Sequence, residues 1–162
     1  MNIKRRIKLA VYTCAKWTGM FWLSRLLLRR KLMILAYHGF KYSDEASFRP
    51  ILFMDADRFA RRLDVLKRGK YPVLPLADAV QQCKEGSLPD NAVAITIDDG
   101  FFSVLDLAAP ILHKHEFPST LYVTSYYATK ATPIFRLAIQ YLFWKTTRSQ
   151  FNPLDYPWSP ST

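Results

Sequence analysis

The sequence predicts a parallel α/β fold, in the form of a partial, distorted (β/α) barrel preceded by a basic amphipathic helix. Apolar runs of strand length alternate along the chain with segments of helical periodicity, which is typical of parallel sheets with crossover helices. Half of the 162 residues are hydrophobic, enough for the core of one domain. About four strands can be counted, whereas a closed barrel of this type has eight. We therefore expect an incomplete barrel.

Basic residues are concentrated at the beginning of the chain. Residues 1–31, which we call the basic arm, contain nine Lys or Arg and no Asp or Glu. Residues 32–162 carry fourteen basic and thirteen acidic side chains, so this part is nearly neutral although the whole chain has a net charge of +10. We therefore divide the chain into the basic arm, an α/β domain over 32–150 and a Pro-rich tail over 151–162.

Residues 3–30 are predicted to be helical, and three interpretations of the basic arm are open. A signal peptide needs a longer apolar run than residues 9–15, and Lys16 and Arg25 interrupt a transmembrane helix. An amphipathic helix fits best, with an apolar stripe of Trp17, Met20, Phe21, Leu23, Leu27 and Leu28. We expect it to rest on an anionic membrane surface, in the cytoplasm or at the inner membrane face, or to pack on its own domain. Nucleic acid is not an expected partner because the charge is confined to one helix.

The elements of the domain are predicted in order from their periodicity and from the residues that end them. A strand over 32–37 ends at His38-Gly39, and Asp55 or Asp57 then begins a helix that ends at Gly69. The core face of this helix comprises Phe59, Leu63 and Leu66. A short strand over 71–74, a helix over 77–84 and a strand over 92–97 follow. Beyond them we predict a helix broken or restarted at Pro110, a strand over 119–124 and a helix over 134–147.

Two adjacent carboxylates, Asp98 and Asp99, follow the strand over 92–97. This strand is apolar on both faces, as strands are when a parallel sheet is covered on both sides, and in such sheets the chemistry collects at the carboxyl ends of the strands. Because two like charges at the mouth of an apolar core repel each other and lose hydration, we expect a cation or a catalytic proton to compensate them. The alternative is that one Asp caps the next helix and the other is solvated.

His38 also ends an apolar strand. It either faces the same pocket as the two carboxylates or makes a structural hydrogen bond that ties the strand to the following loop. An acidic pair at a strand end also suits magnesium-dependent phosphoryl or glycosyl transfer, but the chain has no Gly-rich phosphate loop. Hydrolysis is therefore the better hypothesis, with one acid as a metal ligand and its neighbour as a base.

The stretch T-I-D-D-G-F at 96–101 resembles the T-F-D-D-G-F motif of the polysaccharide deacetylases, which have the NodB-homology fold of carbohydrate esterase family four. The match extends to other segments. I-L-A-Y-H-G at 34–39 resembles the strand with the L-x-Y-H pattern that opens many members, and the segments 59–76 and 109–123 resemble later elements of the family. The resemblance covers about residues 32–126, and several ordered matches are more specific than a lone D-D-G.

The resemblance implies a site and a reaction. Asp98 matches the general base that deprotonates a metal-bound water, and Asp99 matches a carboxylate ligand of a divalent metal, usually zinc. The activated water would attack an N- or O-acetyl group of an acetylated glycan, and the metal and a backbone N–H would hold the oxyanion. His38 is a third candidate for contact with this site.

The family completes its metal site with two histidines in a later H-x-x-x-H motif, which this chain lacks. His113 and His115 are two residues apart and so do not face each other on a helix, and we predict both on the surface. We therefore expect the chain to correspond to the first part of a metal-dependent deacetylase, to bind zinc poorly and to be inactive alone. The alternative is a truncated remnant or a membrane-associated domain without catalysis.

Overall fold

The structure is a computed structural model that describes residues 3–130 and 132–150. Residues up to Thr124 form one compact unit, and residues from Ser125 onward form a second. The Pro-rich tail predicted at 151–162 lies outside the described residues.

Five strands in the described part of the chain form two parallel sheets. They are β1 (Met33–Tyr37), β2 (Gly39–Phe40), β3 (Phe53–Met54), β4 (Val93–Ile97) and β5 (Thr120–Leu121). The larger sheet has the order β1-β4-β5, and β2 pairs with β3 in the smaller one. The α/β class is thus confirmed. Closure of these strands into a barrel stays a prediction.

Eight α-helices lie before, between and after these strands in the described part of the chain. They are α1 (Ile3–Trp17), α2 (Met20–Leu27), α3 (Glu45–Phe48), α4 (Ala56–Arg68), α5 (Leu76–Glu85), α6 (Ala109–His115), α7 (Ser125–Lys130) and α8 (Phe135–Lys145). A π-helical segment, Val104–Ala108, leads directly into α6. The helix is thus not broken at Pro110 as predicted; it widens into a π-helical turn just before this residue, which has no N–H to donate.

The core of the first unit lies between the larger sheet and α4. Every residue of β4 is buried, as the apolar run predicts. Phe59, Leu63 and Leu66 of α4 are buried too, which confirms the predicted core face of this helix. The ring of Phe59 meets the rings of Tyr37 and Phe40 with centroids 4.9 Å apart in each case. These contacts join the end of β1 and the whole of β2 to the core.

The basic arm contains two helices where the sequence predicts one. Gly19 separates α1 from α2 with a φ of 73°, a left-handed conformation that glycine adopts without steric cost. The apolar side chains of the predicted stripe are exposed on both helices. Among the described residues, no helix has the length and the apolar character that crossing a membrane requires.

Two features of the segment between the strands differ from the prediction. The strand predicted over 71–74 is a single bridge, in which Val73 pairs with Val93. Pro72 and Pro75 flank this bridge, and because neither has an N–H to donate, a longer ladder does not form. Asp55 lies at the start of α4 as predicted but makes no capping hydrogen bond. Its carboxylate pairs instead with Lys41 Nζ at 2.7 Å, which lowers the pKa of the Asp55 carboxyl.

Candidate active site

His38 and Asp98 lie side by side because their strands are parallel neighbours. β1 and β4 pair in a register that sets Tyr37 opposite Ile97, and each strand ends there. The backbone N–H of Asp98 donates to the carbonyl of Tyr37 at 2.9 Å, which extends the ladder into the site. His38 Nε2 lies 3.8 Å from Asp98 Oδ2, and both side chains are partly exposed. This separation is suited to an ion pair when the ring is protonated and is too long for a direct hydrogen bond.

Asp99 and Gly100 turn the chain sharply at the end of β4. Asp99 has a φ of 70° and Gly100 a φ of 69°, so two consecutive residues occupy the left-handed region. A side chain at Gly100 would bring a Cβ atom within 3.0 Å of Val123 Cγ1, so glycine is also required by the close approach of the segment after β5. The turn leaves Asp98 and Asp99 half-buried at the carboxyl edge of the sheet.

Ser103 ties the two loops of the site together, and the sequence gives no sign of this role. Its Oγ accepts a hydrogen bond of 2.9 Å from the backbone N–H of Phe40, and both residues are buried. Phe40 is two residues after His38, and Ser103 is four residues after Asp99. This bond therefore fixes the segment that carries His38 against the segment that carries the carboxylates. No motif marks the serine, since its partner is a backbone group 63 positions away.

Two aromatic rings pack against Gly39, the residue after His38. The rings of Phe53 and Phe101 pack with centroids 5.1 Å apart. A Cβ atom on Gly39 would lie 2.6 Å from the Phe53 ring and 3.2 Å from the Phe101 ring. Because no side chain fits there, the glycine after His38 lets the smaller sheet approach the turn after Asp99.

His115 does not lie on the surface as predicted. It is 8% exposed, and its Nε2 is 2.9 Å from Asp64 Oδ1 in α4. Its Nδ1 is 2.8 Å from the carbonyl oxygen of Ile111. The hydrogen bond with His115 lowers the pKa of the Asp64 carboxyl, and the charges of Arg68 and Lys114 act in the same direction. This pair joins α6 to α4 and lies outside the candidate site.

The described residues do not complete a metal centre. Within 3–130 and 132–150, no group of three or more His, Cys, Asp and Glu side chains is arranged to hold a metal ion. His38 and Asp98 are together, but a catalytic zinc takes three protein ligands. The residues present therefore do not fit the zinc site that the sequence resemblance implies.

A solved structure is similar to the chain in fold. A deacetylase from Streptococcus pyogenes, PplD in complex with acetate, is 25% identical to the chain and superposes with a TM-score of 0.56. The match covers 62% of this chain and 46% of PplD. The chain is similar to the polysaccharide deacetylases. The predicted resemblance is confirmed, because the comparison of structures and the sequence motifs both indicate the deacetylases.

Two further solved structures match over part of their length. A de-N-acetylase from Aggregatibacter actinomycetemcomitans is 22% identical, with a TM-score of 0.49, over 64% of this chain and 40% of its own. IcaB from Ammonifex degensii is 28% identical, with a TM-score of 0.47, over 57% and 37%. The chain thus spans less than half the length of all three structures. No protein-family model and no curated protein matches the chain.

Proposed function

We propose that the chain is a deacetylase-type domain that acts on an acetylated glycan, hydrolysing N- or O-acetyl groups. The observation that carries this proposal is that His38, Asp98 and the Asp99–Gly100 turn lie together at one edge of a parallel sheet. The fold that contains this sheet is similar to that of a deacetylase. Reactive groups in parallel α/β folds gather at this edge. The glycan and the reaction come from the resemblance, and the position of the residues is consistent with both.

Asp98 is the proposed general base. It accepts a proton from water while the water oxygen bonds to the acetyl carbonyl carbon; the bond from that carbon to the sugar nitrogen or oxygen then breaks, and acetate leaves. His38, 3.8 Å from the Asp98 carboxylate, is proposed to orient it and to donate a proton to the leaving group. A base of this kind contributes about 10²–10⁴-fold to a rate.

Asp99 is the proposed metal ligand by resemblance, and zinc is the metal that the resemblance implies. The described residues do not supply the other ligands. The proposed steps at Asp98 and His38 therefore involve the protein's own groups alone. This incomplete set also favours a second candidate, a non-catalytic domain that keeps the deacetylase fold.

For the basic arm we propose peripheral attachment to an anionic membrane, at its inner face. The nine basic residues of the arm and its exposed apolar side chains support this assignment.

The test is acetate release from an acetylated chito-oligosaccharide by the full chain, with and without added zinc. We expect slow release, because the ligand set is incomplete, and loss of at least about 100-fold in Asp98→Asn. Asp78→Asn changes an exposed aspartate of α5 and is the matched control. Equal rates in the wild type and Asp98→Asn would contradict the proposed base. A folded chain without release under any condition would favour the non-catalytic candidate.

A further inference from the structure

The two helices of the basic arm each carry an exposed apolar stripe. On α1, Ile3, Ile7, Val11 and Trp17 recur on one side, and Trp17 is 83% exposed. On α2, Met20, Leu23 and Leu27 recur at the spacing of one helix face, and Leu27 is 72% exposed. Exposed apolar side chains that share one face of a helix form a patch of the kind that marks a site of interaction.

The charges around these stripes indicate what covers them. Nine Lys or Arg and no acid lie within residues 1–31. A second copy of the chain would bring two such arms together, and their charges would repel. An apolar stripe bordered by basic residues is instead typical of a helix that lies in the plane of an anionic bilayer, with its apolar side among the upper acyl chains.

The arm is attached to the domain at the amino end of the larger sheet. The guanidinium of Arg25 lies 4.7 Å from the centroid of the Tyr71 ring, on the side of α2 opposite Met20 and Leu27. The side chain of Arg29 pairs with that of Asp90 at 3.5 Å. The backbone carbonyl of Arg29 accepts a hydrogen bond from the N–H of Asn91. These contacts hold α2 against the domain while the apolar stripe of α2 faces outward.

The candidate active site lies at the other end of the same strands. Asn91 precedes β4 at the edge that holds the arm, and Asp98 follows β4 at the opposite edge. Seven residues of extended chain separate them, which is about 20 Å. A bilayer against the arm is therefore on the far side of the sheet from Asp98.

We propose that the basic arm docks on an anionic lipid surface and directs the His38–Asp98 edge away from the bilayer. Given the deacetylase-type function proposed above, on which this step rests, the substrate class is a glycan that extends from the membrane surface. A sugar held at the lipid headgroup would not reach the site.

The first test measures binding of the full chain to vesicles. We expect co-sedimentation with phosphatidylglycerol–phosphatidylcholine vesicles, little with pure phosphatidylcholine, and weakening as NaCl rises from about 50 to 500 mM. Lys8→Gln with Lys16→Gln should weaken binding roughly 25-fold, since each charge near the surface contributes about fivefold. Arg58→Gln with Arg61→Gln, at two exposed positions in the first half of α4, is the charge-matched control outside the arm and should bind as the wild type does. Equal binding to both lipids, or equal losses in both pairs, would overturn the proposal.

The second test measures orientation, and its outcome does not depend on enzymatic activity. An environment-sensitive dye is placed on Cys14, an exposed residue of α1, in a Cys83→Ser background. In a second protein the dye is placed through Phe102→Cys, with Cys14→Ser and Cys83→Ser; Phe102 is exposed beside the acidic turn. On anionic vesicles the Cys14 dye should shift to the blue and be quenched by spin-labelled lipid, and the dye at position 102 should not change. Quenching at position 102 would overturn the orientation even if the vesicles bind.

Discussion

At the scale of single residues, the backbone of Asp99 is the least expected feature of the site. The left-handed conformation destabilises an L-residue by about 1–2 kcal/mol of conformational free energy, although Asp and Asn adopt it more readily than most residues. Asp99 is held at a φ of 70° between a buried strand and Gly100. Such backbone outliers cluster at functional sites, where the surrounding structure holds them in place.

Two substitutions at Asp99 test whether its positive φ destabilises the folded chain, apart from any effect of losing the carboxylate. We expect Asp99→Gly to raise the free energy of unfolding by about 0.5–1 kcal/mol, because glycine adopts a positive φ freely. Asp99→Val should lower it by about 1–2 kcal/mol, because a β-branched residue is strained there. Urea unfolding measures both.

Asp78 provides the matched pair for comparison. It lies in the first turn of α5, where the φ is helical. Asp78→Gly should therefore destabilise the chain, opposite in sign to Asp99→Gly. The same sign at both positions would show that the positive φ of Asp99 carries no cost.

The buried hydroxyl of Ser103 should be important for stability as well as for the site. Ser103→Ala leaves the N–H of Phe40 buried without its acceptor, at an expected cost of about 1–3 kcal/mol. Ser87→Ala removes an exposed hydroxyl and should change the free energy of unfolding by less than about 0.5 kcal/mol. Equal costs measured by urea unfolding would mean that the Ser103 bond contributes nothing specific.

At the scale of elements, the sequence identifies the parts that local patterns define. The apolar runs of β1 and β4 predict those strands, and the spacing of Phe59, Leu63 and Leu66 predicts the buried face of α4. The two-residue strands β2 and β3 are too short for any periodicity. The break at Gly19 is equally hard to predict, since a glycine within an apolar helical pattern is often tolerated.

The candidate site could be predicted in part for the same reason. Asp98, Asp99 and His38 directly follow strands that the pattern reveals. The burial of His115 and the role of Ser103 depend on partners in other elements, Asp64 and the N–H of Phe40. Such partners become visible once the chain is folded.

The pair between α4 and α6 should make stability depend on pH. The pKa of Asp64 is lower in the folded state than in the unfolded state. Its contribution is therefore present above the ordinary Asp pKa of about 4 and is lost as the pH falls through the lower, folded-state value. We expect Asp64→Asn to flatten the decline of the urea midpoint below about pH 4. Asp78→Asn should leave that decline unchanged, and an equal effect in both variants would contradict the assignment.

At the scale of the whole molecule, β1 forms an edge of the larger sheet in the described part of the chain. Residues 33, 35 and 37 bond towards β4, so Ile34 and Ala36 direct their backbone groups to the outer side, and both are exposed. An open, apolar edge is a template for pairing with another chain.

We therefore expect the purified chain to associate as its concentration rises, measured by sedimentation velocity. Ile34→Lys should reduce association, because a charge at the edge opposes strand pairing. Val80→Lys places the same charge on a partly exposed position of α5 and should not. Similar association in all three proteins would place the contact elsewhere.

The long sequence separation between β1 and β4 should also slow folding. Met33 pairs with Val93, 60 residues later, with α3, α4 and α5 between them. Closing a loop of that length costs about 3–4 kcal/mol of chain entropy before any strand contact repays it. Helix formation takes microseconds at most, whereas β1 and β4 pair only after the long loop between them has closed. Until they meet, β4, which is buried along its whole length in the folded chain, is exposed, and we expect chaperones that hold unfolded chains to matter most in this early period.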